Sequence, residues 1–236
     1  VLVLHCTFMD NLIDKHGGIV NLQYCKINKI IACIFLKNTA TKCIFMYAQY
    51  ECNLYAKHGV LYVEAKFHVH IINSIFVKNK GHRDGVLQIM DSEYIQLFHC
   101  IFSGNTIKVG TGSAAVLVEN CHSFQVYNIT IKAQSLAFIK NNHNVLIHGS
   151  SFINEFRGAI WGISSNMILV HCRFRENQGK QIIYIQDVYH IIIAKCIFYN
   201  NSASEHFILD LQGFDLKVIA CKFNFNHGKV ALIKTF

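Results

Sequence analysis

GVLQIMDSEYIQLFHCIFSGN, from Gly85 to Asn105, is the stretch whose reading decides the fold. A glycine opens an alternating apolar run through Leu87 and Ile89. A polar break (Asp91, Ser92, Glu93) leads into a second run through Ile95 and Leu97, and Cys100, Phe102 and Asn105 close the phrase. Alternation with period two is the mark of a strand with one buried face. The stretch therefore encodes short strands separated by bends, with no helical period. The phrase also recurs along the whole chain.

Phe-x-x-Asn stands at Phe8–Asn11, Phe35–Asn38, Phe76–Asn79, Phe102–Asn105, Phe174–Asn177, Phe198–Asn201 and Phe223–Asn226. In weaker copies Leu54, Ile131 and Phe152 take the place of the phenylalanine, which gives ten anchors spaced by about 24 residues. Two positions before the anchor lies a small residue: Cys6, Cys33, Cys52, Ser74, Cys100, Ser150, Cys172, Cys196, Cys221. Five and seven before it the residues are mostly aliphatic, as in Val69 and Ile71 or Ile191 and Ile193. Farther upstream comes another alternating run, as in Leu61 and Val63 or Ile183 and Ile185, opened in several copies by glycine (Gly18, Gly59, Gly85).

This pattern predicts an all-β, single-domain parallel β-helix over residues 1–236, with about ten coils of three short strands each. Equivalent residues would stack ~4.8 Å apart, phenylalanine on phenylalanine and asparagine on asparagine. A leucine-rich horseshoe lacks its Leu-x-x-Leu-x-Leu consensus, and a sandwich does not explain one register held across the units. Val1–Leu4 and Val230–Phe236 both stop in mid-pattern, so the expectation is a segment of a longer rod whose caps lie elsewhere.

Composition agrees. The chain is 52% hydrophobic and 15% charged, and it has no proline, which suits a backbone committed to sheet. No apolar run is long enough for a membrane-spanning helix. A net charge of +8 with 14 histidines favours acidic partners. The repeats resemble the right-handed parallel β-helix proteins of the pectin-lyase-like superfamily. Gly17-Gly18-Ile19 together with Phe-x-x-Asn is similar to the repeats of chlamydial polymorphic outer-membrane adhesins. The resemblance implies scaffold rather than activity, since members include polysaccharide lyases, hydrolases, tailspikes, adhesins and structural proteins.

Ten cysteines raise the question of disulfides. Seven occupy one repeat position, where their Cβ atoms would run parallel and slightly too far apart, so a buried thiol ladder is expected. Cys25 and Cys43 fall outside the column and form the best remaining pair. The acidic residues are scattered. Asp187, Asp210 and Asp215 do not share a column, and the catalytic motifs of polygalacturonase-like and pectate-lyase relatives are absent. His68 and His70 share an outer face without a third ligand from the expected neighbours, Met46 and Ala48 or Tyr94 and Gln96. His5, His99 and His171 face outward beside ladder cysteines. No catalytic, cofactor or metal site is expected.

Two surface features remain. The corner after Phe-x-x-Asn carries Lys15, His16, Lys57, His58, Lys78, Lys80, His82, Arg83, Lys108, Arg157, Lys180, His227 and Lys229, a candidate basic stripe for an anionic polysaccharide. It lacks interleaved aromatics, which argues against nucleic acid. Four before the anchor runs an apolar column of Leu4, Ile31, Tyr50, Ile72, Phe98, Tyr127, Val170 and Ile219, facing outward as a contact strip or turned inward at a bend. Asn128 and Asn200 head glycosylation acceptor triplets. The function expected is an extracellular, non-enzymatic structural or adhesive rod that self-associates end to end or laterally. The alternative is a carbohydrate-active enzyme or an anionic-glycan-binding module on the same scaffold.

Overall fold

The structure is a computed structural model and describes residues 1–13, 19–40, 60–81, 86–107, 116–132, 137–155 and 158–234. Every strand pairing given for them is parallel, and the chain winds through three faces per turn. In the turn that carries the decisive phrase, the first strand is Leu87–Met90, the second Tyr94–Phe98 and the third Ile101–Ser103. First and second strands build one fourteen-stranded sheet. Third strands build a nine-stranded sheet, and a short four-stranded sheet follows the third strand near the N-terminus. In four turns the first two strands fuse, giving Val20–Ile31, Leu61–Ile72, Gln178–Ala194 and Ser202–Ile219.

Where the strands are separate, the corners between them share one device. A residue in the left-handed region is followed by an inward side chain, in most coils a small or polar one. The left-handed residue is Asp91, Asn120, Asn141, Ser164 or Asp187 at the first corner, His5, His99, His171 and their equivalents at the second, and Lys37, Lys78, Glu176 and theirs at the third. That conformation is unfavourable for a residue with a Cβ. It is held because its own N–H still donates to the neighbouring coil, as in Asp91 to the Glu119 carbonyl (3.2 Å), His99 to Tyr127 (3.0 Å) and Lys78 to Ser103 (2.9 Å). The coil-to-coil ladder therefore continues through the bends.

The inward residue explains the small-side-chain signal. Ser74 donates its hydroxyl to the Ile72 carbonyl at 2.9 Å, and Cys100 its thiol to Phe98 at 3.3 Å. The first corner repeats this with Ser92 to Met90, Cys121 to Glu119 and Ser165 to Ile163. Serine and cysteine interchange because each is small and each caps the carbonyl two residues back. The cysteines are thus weak donors as well as apolar filler.

Cys6, Cys33, Cys100, Cys121, Cys172, Cys196 and Cys221 are free thiols; Cys43, the expected partner of Cys25, lies outside the described residues. Burial pushes the Cys100 thiol up to about 11 and that of Cys121 up to about 12. Unfolded thiols ionise from an ordinary 9.0, so this contribution to stability is intact below that pH and is lost as pH rises toward 11–12. Iodoacetamide at pH 8 is expected to leave Cys100 and Cys121 unmodified in the native protein and to label both in urea, as read by peptide mass mapping. Labelling of either at the native rate of an exposed thiol would contradict its burial.

At the third corner the asparagines form a ladder. Asn38, Asn79 and Asn105 are buried, and Asn79 accepts from the Asn38 backbone N–H (2.9 Å) and amide (3.1 Å). It donates to the Phe35 carbonyl (2.8 Å) and to Asn105 (2.9 Å). Asn177, Asn201 and Asn226 repeat the pattern. Inside, Phe8, Phe35, Phe76 and Phe102 stack at 4.7–4.8 Å, and Phe152, Phe174, Phe198 and Phe223 at 4.7–5.0 Å. Ile131 interrupts the stack between Phe102 and Phe152. An enclosed apolar cavity of roughly 10 Å³ lies beside it, lined among others by Leu97, Phe124 and Val126.

The number of coils is lower than expected. Phe35 pairs directly with Phe76, and Ile27 and Lys29, rather than Met46 and Ala48, lie opposite His68 and His70. Residues 41–59, Leu54 among them, lie outside the described residues, and the nine-stranded sheet passes directly from Ile34–Leu36 to Ile75–Val77. Val20–Ile31 and Leu61–Ile72 pair along nearly their whole length, which leaves no place for a coil between them.

Asn28 breaks the interior pattern. It pairs with Val69, in the inward column that continues through Ile95 and Phe124. It is fully buried and neither atom of its carboxamide has a hydrogen-bond partner. Asn28→Val is expected to raise stability by about 1–3 kcal/mol, measured as a higher urea midpoint. A lower midpoint would show that the amide is satisfied.

Candidate functional site

The second strands carry the apolar column on their outer face. Strand pairing aligns Leu4, Ile31, Ile72, Phe98, Tyr127, His148, Val170, Ala194 and Ile219. The residues on either side of Leu97 in Tyr94–Phe98 are partly open while Leu97 itself is buried, so the column faces outward. Leu4 and Ile219 are exposed, and Phe98 stacks on Tyr127 at 4.6 Å. His148 and Ala194 interrupt the strip, and Tyr50 is outside the described residues.

Of the expected basic stripe, Lys15, His16, Lys57, His58, His82, Arg83, Lys108 and Arg157 lie outside the described residues. Lys78 and Lys80 are exposed at the third corner, with Lys37 one coil away in the position equivalent to Lys78. Farther along, that position is held by Gly104, Asn154, Glu176 and Asn200, and Lys180, His227 and Lys229 belong to the last coils. Among the described residues the cations form a short cluster of three, with the others at a distance. Asn128 and Asn200 are both exposed, each in the left-handed position of a corner.

The histidines are where the pattern puts them. His5, His99 and His171 are exposed at the second corner, pointing away from their cysteines. His68 and His70 are half-buried on the outer face, and His70 Nδ1 lies 3.0 Å from the Gln96 carboxamide oxygen. Burial lowers the His70 pKa from its ordinary value, partly opposed by that hydrogen bond. The three carboxylates remain apart: Asp187 at a first corner, Asp210 buried opposite Tyr184, and Asp215 opposite His190. Lys217 at 3.0 Å, with His190 at 3.2 Å, holds the Asp215 carboxyl below the usual range.

The first corner forms a groove that the sequence pattern does not announce. Two adjoining recesses of about 450 and 320 Å³ follow the rod axis and share Asn141 and His143. The first is lined by Asp91, Ser92, Glu93, Asn120, Cys121 and His122, the second by Asn142, Ser164, Asn166, Asp187, Val188 and Tyr189. Because the left-handed residues stack coil on coil, their side chains make an exposed polar rail. Asn141 donates to Asn120 at 3.2 Å and Asn120 to Asp91 at 3.2 Å. Rings stand beside the rail: His122 is 5.0 Å from His143 and 6.0 Å from Tyr94, and Tyr189 stacks on Phe214 at 5.0 Å. Tyr94 (44% exposed), Tyr189 (57%) and Phe214 (42%) leave much of their surface to solvent. From the coil of Asp91 to that of Asp187 is four coil steps, ~19 Å.

Such a trough repeats amide, carboxylate, imidazole and aromatic groups at the coil spacing and is open at its sides. It suits hydrogen bonding and ring stacking along an extended molecule better than enclosure of a small one. Among the described residues no group of three or more metal-ligating side chains comes together. The one sequence signal for the groove was the recurrence of polar pairs between the first and second strands, as in Asp91-Ser92 and Asn141-Asn142.

No curated protein matches the chain. The family model described as right-handed β-helix region matches residues 58–223, well over half of the sequence. With parallel coils, three faces and stacked interior ladders in place, the chain belongs to the right-handed β-helix family.

Proposed function

We propose that the chain acts by binding: it is an extracellular, adhesive β-helix rod whose first-corner groove holds an extended glycan. The observation that carries this reading is the groove itself, ~19 Å of repeating hydrogen-bonding groups and exposed rings along the axis. A polymer with its own regular repeat can engage equivalent groups on successive coils, so weak contacts add along its length. Exposed tyrosines beside amides and carboxylates supply stacking area and hydroxyl partners at low entropic cost. The two accessible glycosylation acceptors, Asn128 and Asn200, are consistent with passage through a secretory route. The anionic-polymer alternative draws on Lys37, Lys78 and Lys80 alone among neighbouring described positions.

Cosedimentation with insoluble cellulose, chitin, mannan and xylan tests the reading, with a reducing-end assay on the same mixtures. Depletion of the protein by at least one polymer without release of reducing ends is the expected result. Depletion by none overturns glycan binding, and release of reducing ends overturns a purely adhesive role.

A further inference from the structure

Two of the described coils are a residue short at the first corner: between Gln212 and Asp215 lie only Gly213 and Phe214, yet Phe214 still supplies a ring beside Tyr189, whereas the coil of Ser164 supplies none at that level. Three residues separate Lys140 from Asn144, and three separate Gln186 from His190, but only two separate Ile163 from Asn166. Asn166 pairs with Asn144 on one side. On the other, its carboxamide oxygen accepts from the backbone N–H groups of Tyr189 (3.2 Å) and His190 (3.0 Å). That side chain thus takes up the extra residue of the next coil. His143 and Tyr189 are left with no counterpart between them, and the 320 Å³ recess lies in that gap.

The two rings frame the gap. Tyr189 has one face on Phe214, nearly parallel at 12°, and His143 has one face toward His122 at 34°. His190 packs edge-on with Tyr189 at 4.5 Å, and both His143 and Tyr189 line the recess. Two coil steps, ~9.6 Å, separate the backbone positions that carry the rings. That is about twice the 4.5–5 Å at which a six-membered ring packs on an aromatic neighbour, so one ring fits between them. The rim is polar, with the Asn141 amide, the Ser164 hydroxyl and the Asp187 carboxylate, and among the described residues no lysine or arginine lines the recess. A wholly apolar guest would strip water from these groups without replacing it, and an anionic one would face Asp187. An uncharged pyranose meets both demands, offering its C–H faces to the rings and its hydroxyl edge to the rim.

We propose that this gap binds a single uncharged pyranose residue of a longer glycan, held between His143 and Tyr189. The assignment rests on the reading of the groove as a glycan site and names the sugar class it takes. Affinity electrophoresis in gels containing galactomannan, xyloglucan, dextran or, separately, polygalacturonate tests it. The variants are Tyr189→Ala and insertion of a tyrosine between Ser165 and Asn166, which supplies the missing residue. Tyr199→Ala, exposed on the third-strand sheet, serves as control. Thermal midpoints confirm that each variant is folded, and Tyr189→Ala decides the matter if the insertion is not.

At least one neutral polymer is expected to retard the wild type and Tyr199→Ala alike. Tyr189→Ala and the insertion should weaken that retardation about tenfold or more. If the wild type is retarded and these two variants are retarded equally, the gap is not the subsite, while the groove reading stands. Retardation by polygalacturonate alone overturns the uncharged-sugar assignment. Retardation by none of the polymers overturns the gap together with the glycan reading.

Discussion

Asn79→Leu is expected to destabilise the protein by on the order of 4 kcal/mol, the largest effect of any single ladder substitution. The buried carboxamide accepts two hydrogen bonds from Asn38 and donates one each to the Phe35 carbonyl and to Asn105. Leucine has nearly the same shape but serves none of them, leaving the buried Asn38 N–H and Phe35 carbonyl on one coil without these partners and the Asn105 oxygen on another with one fewer. Each orphan costs about 1–3 kcal/mol, and partial relaxation keeps the sum below the full total. Asn11 makes the comparison, being exposed at the first rung, where its neighbours can turn to water. Asn11→Leu is expected to cost about 1 kcal/mol or less. Urea denaturation of both variants measures the difference. Equal losses would mean that the ladder acts through shape and not through hydrogen bonding.

The second large effect concerns the phenylalanine stack. Phe102→Ala removes a fully buried ring that packs on Phe76 at 4.7 Å, and its expected cost is about 3–5 kcal/mol. Next along the stack stands Ile131, beside the small apolar cavity. Restoring the ring there with Ile131→Phe fills space that is otherwise without contacts, and a gain of about 1 kcal/mol is expected. Phe223→Ala, partly exposed on the last third strand, should cost well under half as much as Phe102→Ala. Unfolding midpoints of the three variants rank the sites. A loss from Ile131→Phe would show that the coil is already tightly packed.

Much of this architecture was legible because the repeat writes it many times. Phe102, Cys100 and Asn105 occupy positions whose chemistry is dictated by stacking on identical neighbours, and the outward direction of His99 follows from the corner it starts. The coil count was harder. Tyr50, Cys52 and Leu54 imitate an anchor closely enough to pass a residue-by-residue register, but strand pairing between Val20–Ile31 and Leu61–Ile72 excludes a rung there. The same limit applies to buried outer-face residues. Tyr62, Gln88, Met90 and Leu117 lie on the side of the first strand away from the core and are nonetheless buried, which period-two alternation cannot express. The gap at Ser164–Asn166 was hidden for another reason. It consists of one residue fewer between two strands, and an alignment on the downstream anchor absorbs such a difference as ordinary variation in length.

The interruption at Ile131 has a consequence for how the rod comes apart. In a stacked coil, cooperativity passes only between adjacent rungs. Near Ile131 the aromatic stack is broken, and the buried residue at the third corner of the Phe152 coil is Glu155 in place of an asparagine. That region is expected to be a seam between two foldons, with native-state amide exchange showing two protection plateaus that meet there. The groove crosses the seam, since Asp91 and Asp187 lie on opposite sides of it. A polymer lying in the groove would act as a splint across the seam, slowing exchange also in the third strands on the far side of those coils.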